Sequence, residues 1–519
     1  MVGQGSTRLP RRFGRNTLSN YAMTMVSLLV AVVTTPVLTH HLGLRGYGVW
    51  VITLSVISYL EVLELGLGNT TVVFVARHAS TGDHVALQRT VNTSFAALTG
   101  FGVVALIVAV ALSFVLPGAI HVALNLRDQA QWLLILLGLD MAVSIPMDTF
   151  GGGLIALQRY DLMNASLIVV SVCHAVSWVL ILTNGGGLIA LGITTVAISI
   201  VGQFSRFVLF RRLLPNVKLS PRMVDWGLLR TFAPLSAWNT VGSFLGDFLD
   251  YVNVLILSVV RNAATAGIFS VGERLSLLGG TLAGPMTAGY FPHVAELSGQ
   301  NDVIGLREAT LLGSRLVMGT TIPLCLVIGF LAQSTLHVWV GPAFEGVVPS
   351  VRILAVAGAL ASVATMMRTA LVGAASPKVP ALAMAVATVV DVTLTVILGI
   401  QHGMFGVALA SLIAGVVYVG ILVPIACRKL TIGTFTLFRV LARSHLLPLV
   451  VAGAVGWSLS QPLLSYVSSH GRFAGICMLV ATGSAILITY LVIFVFTGLS
   501  RKERRDGVAR LRRIRAPEA

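Results

Sequence analysis

Long apolar blocks separated by short polar joints fill almost the whole chain. In order they fall near 17–39, 47–75, 92–116, 131–156, 162–183 and 187–210, then 231–259, 264–291, 311–335, 350–374, 379–400 and 404–427. Two more follow at 444–466 and 472–497. Each has about the 20 residues a helix needs to cross a hydrocarbon core of roughly 30 Å. The period-two alternation of a membrane strand is missing. The pattern predicts an all-α polytopic membrane protein of about 14 transmembrane helices. Blocks 231–259 and 264–291 are the least apolar of the set.

Composition agrees with the pattern. Of 519 residues, 56% are hydrophobic and only 10% charged, against about a quarter charged in soluble domains. The net charge of +16 takes its meaning from its location. With the N-terminus in the cytoplasm, the cytoplasmic joints and tails collect about 27 of the 35 Lys and Arg, as the positive-inside rule requires. The outer loops hold Arg45, Arg127, Arg261, Arg352 and Arg472. The tail RKERRDGVARLRRIR reads as a topology anchor and a contact for anionic membrane lipids, with no nucleic-acid fold around it. The basic start followed by the first apolar run reads as a retained membrane helix: the run is long, contains Pro36 and lacks a cleavage site. The four cysteines, Cys173, Cys325, Cys427 and Cys477, have no metal-ligand or redox spacing.

The chain also repeats itself. A shift of about 219 residues brings Asn20 onto Asn239, YGVW at 47–50 onto AGIF at 266–269, and Asp83 onto Asp302. The same shift brings Arg159 onto Lys378 and Gly187 onto Gly406. A six-helix unit repeated in this way predicts two parallel lobes, with the last two helices outside the duplication. The resulting plan is a basic cytoplasmic N-terminus (1–16), an N-lobe (17–211), a cytoplasmic linker (212–230) and a C-lobe (231–427). A cytoplasmic loop (428–443), two further helices (444–497) and a basic cytoplasmic tail (498–519) complete it.

The stretch LTHHLGLRGYGVWVITLSVISYLEVLELGLGNTTVVFVARH, with Leu42-Gly43, Tyr47-Gly48, Leu65-Gly66-Leu67-Gly68 and the acidic Glu64 before that pair, carries a family resemblance. So does ALQRYDLMNA at 156–165. The chain resembles the Wzx-like polysaccharide-biosynthesis proteins, O-antigen repeat-unit flippases. These form part of the multidrug/oligosaccharidyl-lipid/polysaccharide (MOP) exporter superfamily, with the MATE drug antiporters and the lipid II flippases. The resemblance implies paired six-helix bundles around a central cavity, working by alternating access in the bacterial inner membrane. It implies an undecaprenyl-diphosphate-linked oligosaccharide as cargo, moved from inner to outer leaflet for cell-surface polysaccharide or lipopolysaccharide assembly. Polymerases and glycosyltransferases would be its partners. The arginine-rich pattern expected around the first two helices of the peptidoglycan-precursor branch is missing.

Charged residues at bilayer depth cost at least about 2.5–3.5 kcal/mol each and so face protein or water. Glu61 and Glu64 lie three apart in the second block, where they would share a helical face. Asp247 and Asp250 repeat that spacing in the seventh block, and Asp140 and Asp148 lie eight apart in the fourth. With Glu273 and Asp391 these acids are expected in a wet cavity, as candidates for proton or sodium coupling. Local pairing with arginine or with backbone at helix breaks is the competing expectation. Arg274, near mid-helix in the eighth block, and Arg368, in the inner half of the tenth, are the candidates for the diphosphate, whose geometry guanidinium matches. Pairing with a seventh-helix acid is the alternative for Arg274, and snorkelling to the interface for Arg368. Pro36, Pro146, Pro234, Pro285 and Pro323 mark expected bends.

Enzyme motifs are weak. No phosphate-binding GxxxxGK[ST] loop occurs, and the GGG runs at 151–153 and 185–187 open no strand-helix unit. His40-His41 reads as an interfacial pair. No cofactor or metal is expected, and the chain is expected not to be an enzyme. Two other functions remain open: a cation-coupled multidrug exporter, which needs cavity acids without cavity arginines, and a membrane-embedded glycosyltransferase or polymerase. The latter usually needs a sizeable outer loop, and those at 117–130 and 336–349 are short.

Overall fold

The computed structural model describes residues 11–499, except 62–63, 65–66, 121, 282 and 375, together with 503–504. The side chains of 11–18, 69, 230–244, 285, 288–289 and 292, and those of Asp247 and Asp250, also lie outside the described residues. Every regular element among the described residues is helical. Among the described residues, eleven helices are long and apolar enough to cross a membrane. The chain is a multi-pass membrane protein.

The helices follow the apolar blocks with two corrections. The first two blocks, expected as separate spans, are two helices that meet at a non-helical Gly43 within the continuous element α1 (Arg11–Glu61). Gly43 has φ 65° and ψ 172°, a conformation open to glycine and strained for other residues. The turn therefore sits at Gly43 while Pro36 stays inside the helix. The second block was expected as a single helix to residue 75, but α1 ends at Glu61 and α2 (Leu67–Thr81) starts afresh. The eighth block also breaks, into α8 (Ala263–Leu277), one 3-10 turn, and α9 (Ala283–Gly299). The break at Gly279 and Gly280 precedes Pro285. Adjacent glycines are poor helix formers and the proline removes a backbone donor, so helix restarts cluster there. Pro146 and Pro323 stay within helices, while the side chain of Pro285 and that of Pro234 lie outside the described residues.

The remaining elements are α3 (His84–Ala119), α4 (Arg127–Ala156), α5 (Tyr160–Thr183), α6 (Leu188–Leu213), α7 (Gly227–Val260) and α10 (Val303–Trp339). Then come α11 (Val348–Gly373), α12 (Lys378–His402), α13 (Met404–Lys429), α14 (Thr434–Ser469) and α15 (Arg472–Thr497).

The repeat is visible in backbone detail. Asp83 caps α3 by accepting the Ala86 amide at 2.9 Å, and Asp302 caps α10 by accepting the Gly305 amide at 2.9 Å. Their backbones agree within a degree, φ −79° and ψ 85° against φ −79° and ψ 84°. The residues before them, Gly82 and Asn301, both have positive φ, 69° and 54°. Asparagine tolerates that region better than other side chains do. Two positions related by the sequence shift thus build the same turn-and-cap.

The chain divides into two compact units. Unit 1 holds Met1–Phe244 and Asn262–Gly267; unit 2 holds Leu245–Arg261 and Ile268–Ala519. In unit 1 the core gathers Leu87, Val91, Phe150, Leu154 and Phe210, with a second cluster at Leu98, Met141 and Ile145. In unit 2, α11 and α13 share one core through Met366, Met367, Leu422 and Val423. The last two helices pack on α10 through Leu331, Ile486, Tyr490 and Phe494. Between them His445 Nδ1 lies 2.8 Å from the Tyr490 hydroxyl. At the chain end Arg315 donates to Glu503 at 2.6 Å and to the Gly498 carbonyl at 3.0 Å, so the start of the tail is tied to α10.

The stretch after α6 is held to α3 by the buried side chains of Asn92 and Thr93. Asn92 donates to the Lys218 carbonyl at 2.9 Å and accepts the Ser220 amide at 2.7 Å. Next to it, Thr93 accepts the Asp225 amide at 2.9 Å. Asn92→Leu removes both bonds, leaving the Lys218 carbonyl with only the Gln88 side-chain amide at 3.2 Å and the Ser220 amide without that acceptor, at about 0.5–1.5 kcal/mol per lost bond. The expected result is faster limited proteolysis between residues 214 and 226, with an unchanged cleavage rate elsewhere.

Candidate functional site

Two polar clusters lie inside the apolar helices, one in each unit. The first is built from two facing stripes. Asp140, Ser144 and Asp148 recur every four residues along α4, and Ser199, Gln203 and Arg206 recur at four and three along α6. Such spacings put each set on one helix face, and α4 packs on α6. Arg206 is 7% exposed. Its Nη1 lies 3.5 Å from Asp148 Oδ1, whose side chain is 41% exposed. Gln203 also hydrogen-bonds Asp148, while Ser144 and Ser199 hydrogen-bond Asp140. Asp140 Oδ1, Gln203 Oε1 and Arg206 Nε are buried without a hydrogen-bond partner.

Glu64 joins this cluster. The two glutamates of the second block were expected on one helical face; the helix ends at Glu61, and Glu64 lies in the break. Its carboxylate accepts the Gly68 amide at the start of α2 and lies within electrostatic reach of Asp148. A carboxylate at a helix N-terminus meets unpaired amides and the positive end of the helix dipole. Glu64 therefore caps a broken helix, and it does so beside the Asp148–Arg206 pair. Glu61 is exposed at the end of α1.

The second cluster is a partly open cavity of about 420 Å³ within unit 2. Asn253 from α7, Thr321 from α10, Arg368 from α11, Asp391 from α12 and Ser411 from α13 line it. Asp391 is 2% exposed. Its carboxylate is hydrogen-bonded by Ser411 and Asn253, yet its Oδ1 has no partner. Asn253 is fixed in turn: its amide donates to Ser411 Oγ at 2.9 Å and accepts from Thr395 Oγ1 at 3.1 Å. The buried Thr321 hydroxyl also lacks a partner. Arg368 is exposed and faces the cavity, with Tyr418 within electrostatic reach.

Of the residues singled out in the sequence, the structure thus brings Glu64, Asp140 and Asp148 together in unit 1. In unit 2 it brings Glu273, Arg368 and Asp391 around one cavity. Arg274 was expected near mid-helix but lies in the last turn of α8, exposed and outside the cavity lining. A cation there suits the negative end of the helix dipole. The side chains of Asp247 and Asp250 lie outside the described residues. Sequence reading passes over Arg206, which sits five residues before the basic pair Arg211-Arg212 at the helix end. The Ser199, Gln203, Arg206 stripe was the signal for it. Among the described residues no group of three or more His, Cys, Asp or Glu side chains is arranged to hold a metal ion.

Residues 13–298 match the model of the family described as "Polysaccharide biosynthesis protein". That is more than half of the chain. The chain belongs to the polysaccharide biosynthesis protein family. A relative, the "Uncharacterized membrane protein EpsK" of Bacillus subtilis (strain 168), is 22% identical over 510 residues, covering 97% of this chain and 98% of its own. Among solved structures, an inward-facing multidrug resistance MATE family transporter of the MOP superfamily superposes with a TM-score of 0.69 at 14% identity. That match covers 80% of this chain and 98% of the transporter. The lipid II flippase MurJ in an inward closed conformation gives 0.61 at 14% identity, over 95% and 99% of the two chains. This polysaccharide biosynthesis protein therefore has the MOP transporter fold.

Proposed function

We propose that the protein moves a lipid-linked saccharide across the membrane, its polar head passing through the protein while the lipid tail stays in the bilayer. The single observation that carries this is the partly open cavity of unit 2, which sets a buried Asp391 and an exposed Arg368 among lipid-embedded helices. Polar and ionic groups at that depth persist where they meet a polar solute or water. A fold shared with a lipid II flippase and membership of a polysaccharide-biosynthesis family support the same reading.

In its finer form the cargo is an undecaprenyl-diphosphate-linked oligosaccharide carried from the inner to the outer leaflet of the bacterial inner membrane. The termini face the cytoplasm, and lobes 17–211 and 231–427 alternate in access. Arg368 and Arg274 hold the diphosphate, the first from the cavity and the second from the end of α8. Glu64, Asp140 and Asp148 couple the cycle to protons or sodium, with Glu61, Asp247, Asp250, Glu273 and Asp391 as further acids. No chemical step is catalysed. Glycosyltransferases and a polymerase act before and after it.

Arg368→Ala is expected to lower flipping of a fluorescent polyprenyl-diphosphate saccharide in proteoliposomes at least about tenfold, the scale of a charge-assisted contact of roughly 1.5–3 kcal/mol. Arg274→Ala should cost less. Wild-type rates in both variants would remove the diphosphate assignment. Efflux of cationic dyes, unchanged in Arg368→Ala, would instead favour the drug-exporter reading.

A further inference from the structure

A second cavity in unit 2 lies away from the candidate site, at one end of the helices. It is partly open and holds about 250 Å³. It forms where α9 turns into α10, where α11 turns into α12, and where α13 ends. Its polar lining is Ser298, Asn301, Asp302, Ser376 and Lys429; leucine, valine and alanine make up the rest. Each of those polar residues is half-buried or exposed, so a ligand can reach it.

Two opposite charges share this space without meeting. Among the described residues neither Lys429 nor Asp302 forms an ion pair. The Lys429 ammonium donates to Ser376 Oγ at 3.3 Å, which leaves two of its donors for a ligand. Asp302 Oδ1 accepts the Gly305 amide, and the carboxylate keeps further acceptor sites.

The repeat shows that this arrangement belongs to unit 2 alone. The shift that pairs Asp83 with Asp302 pairs Leu87 with Leu306 and Phe210 with Lys429. In unit 1 Phe210 is fully buried with Leu87, Leu154 and Phe150. It lies so close to Gly153 that a Cβ there would run into the ring. At the matching position unit 2 has an exposed ammonium beside a cavity.

A ligand carrying both signs satisfies both walls at once. A phosphodiester joined by two carbons to a primary ammonium offers oxygens to Lys429 and to the Ser298 and Ser376 hydroxyls. Its N–H groups suit Asp302 and the Asn301 side-chain oxygen. A purely anionic head group would set its charge against Asp302. The location selects a lipid as the source. Basic pockets between membrane helices take lipid head groups, and Lys378 and Arg428 stand at the same helix ends. Val303, in the lining, and its neighbour Ile304 are 50% and 73% exposed, an apolar rim for an acyl chain. The volume falls below the roughly 300–1,000 Å³ of sites that enclose a whole drug-sized ligand, as suits a head group whose chains stay outside.

We infer that this cavity binds the head group of an aminophospholipid of the phosphatidylethanolamine type, its phosphate on Lys429 and its ammonium on Asp302. The inference needs only the membrane class of the chain and this cavity, so it stands or falls apart from the cargo.

Two variants test it. Asp302→Asn removes the anionic wall and keeps the cap of α10, since asparagine caps a helix as well as aspartate does. Lys429→Phe gives unit 2 the residue of unit 1 and removes the cation. Dioleoyl phosphatidylethanolamine, phosphatidylcholine and phosphatidylglycerol are bound in turn to the purified full chain and read by native mass spectrometry. Soluble glycerophosphoethanolamine serves as competitor.

The wild type should hold phosphatidylethanolamine about three- to fivefold more tightly than the other two, the scale of a solvent-exposed charge pair. The choline head has no N–H to give Asp302, and the glycerol head has no ammonium. Asp302→Asn should abolish both preferences, and Lys429→Phe should weaken phosphatidylethanolamine by a similar factor. If Lys429→Phe does not fold, Asp302→Asn decides alone. Phosphatidylglycerol bound as tightly as phosphatidylethanolamine by the wild type would make this an anionic-lipid site and overturn the inference. A preference that persists in Asp302→Asn would place the lipid elsewhere and overturn it as well. Displacement of the lipid by an equal concentration of glycerophosphoethanolamine would assign the cavity to a soluble ligand and overturn the lipid source.

Discussion

Gly48→Val should leave almost no folded protein. Gly48, in α1, lies against the first turns of α8, where a Cβ added to it would run into the backbone carbonyl of Ala263. A Cβ on Gly267 would in turn lie 2.9 Å from Gly48 Cα and 3.1 Å from Gly48 N. The two glycines meet backbone to backbone, and they are the same position of the sequence repeat, YGVW against AGIF. Small residues are how membrane helices approach so closely. Overpacking costs about 1–3 kcal/mol where side chains can yield. Here the obstacle is main chain, so a loss of at least about 3 kcal/mol is expected. Gly267→Val should behave alike. Gly100→Val is the control, because a Cβ there meets nothing within 4 Å. Monodisperse yield in fluorescence-detected gel filtration reads the result. Near-wild-type yield for both Gly48→Val and Gly267→Val would disprove the close crossing.

The second large effect is expected at Arg206. Arg206→Ala removes the cation that faces Asp148 and Asp140 and leaves two half-buried carboxyl groups without it. Breaking a buried ion pair from one side costs about 3–5 kcal/mol. Asp148 is 41% exposed, and solvent screening there lowers the expected loss to about 2–3 kcal/mol. Thermal unfolding in detergent should show it. Arg206→Lys restores the charge without the planar fork and should recover part of the loss. The double variant Arg206→Ala/Asp148→Ala should be more stable than Arg206→Ala alone, since the orphaned acid is gone. A double variant whose loss is the sum of the two single losses would show that Arg206 and Asp148 do not interact.

Glu64 shows how far the chain's own pattern reached. A carboxylate inside a long apolar run was visible as an anomaly, and a helix break at Gly66 and Gly68 was one reading of it. What periodicity could not supply was the consequence, a carboxylate capping the restarted α2 and facing Asp148 from a different element. Arg206 was missed for a related reason. Near a basic helix end, an arginine reads as one more topology charge, and only the neighbouring α4 turns this buried arginine into the partner of an acid. Asp391 was legible as an intramembrane acid, but Asn253, Thr321 and Ser411 carry no charge and no motif. Their role comes from lying on α7, α10 and α13 around one space.

The order of apolar blocks by itself determined the membrane class, the helical architecture and the repeat. A bilayer leaves the backbone one local way to satisfy its hydrogen bonds, and length and hydropathy are properties of contiguous sequence. Only the tertiary structure decided where the long helices break, which glycines touch, and which acids share a cluster. Those depend on contacts between residues far apart in the chain, whose free energies arise from packing and burial that no local window of sequence contains.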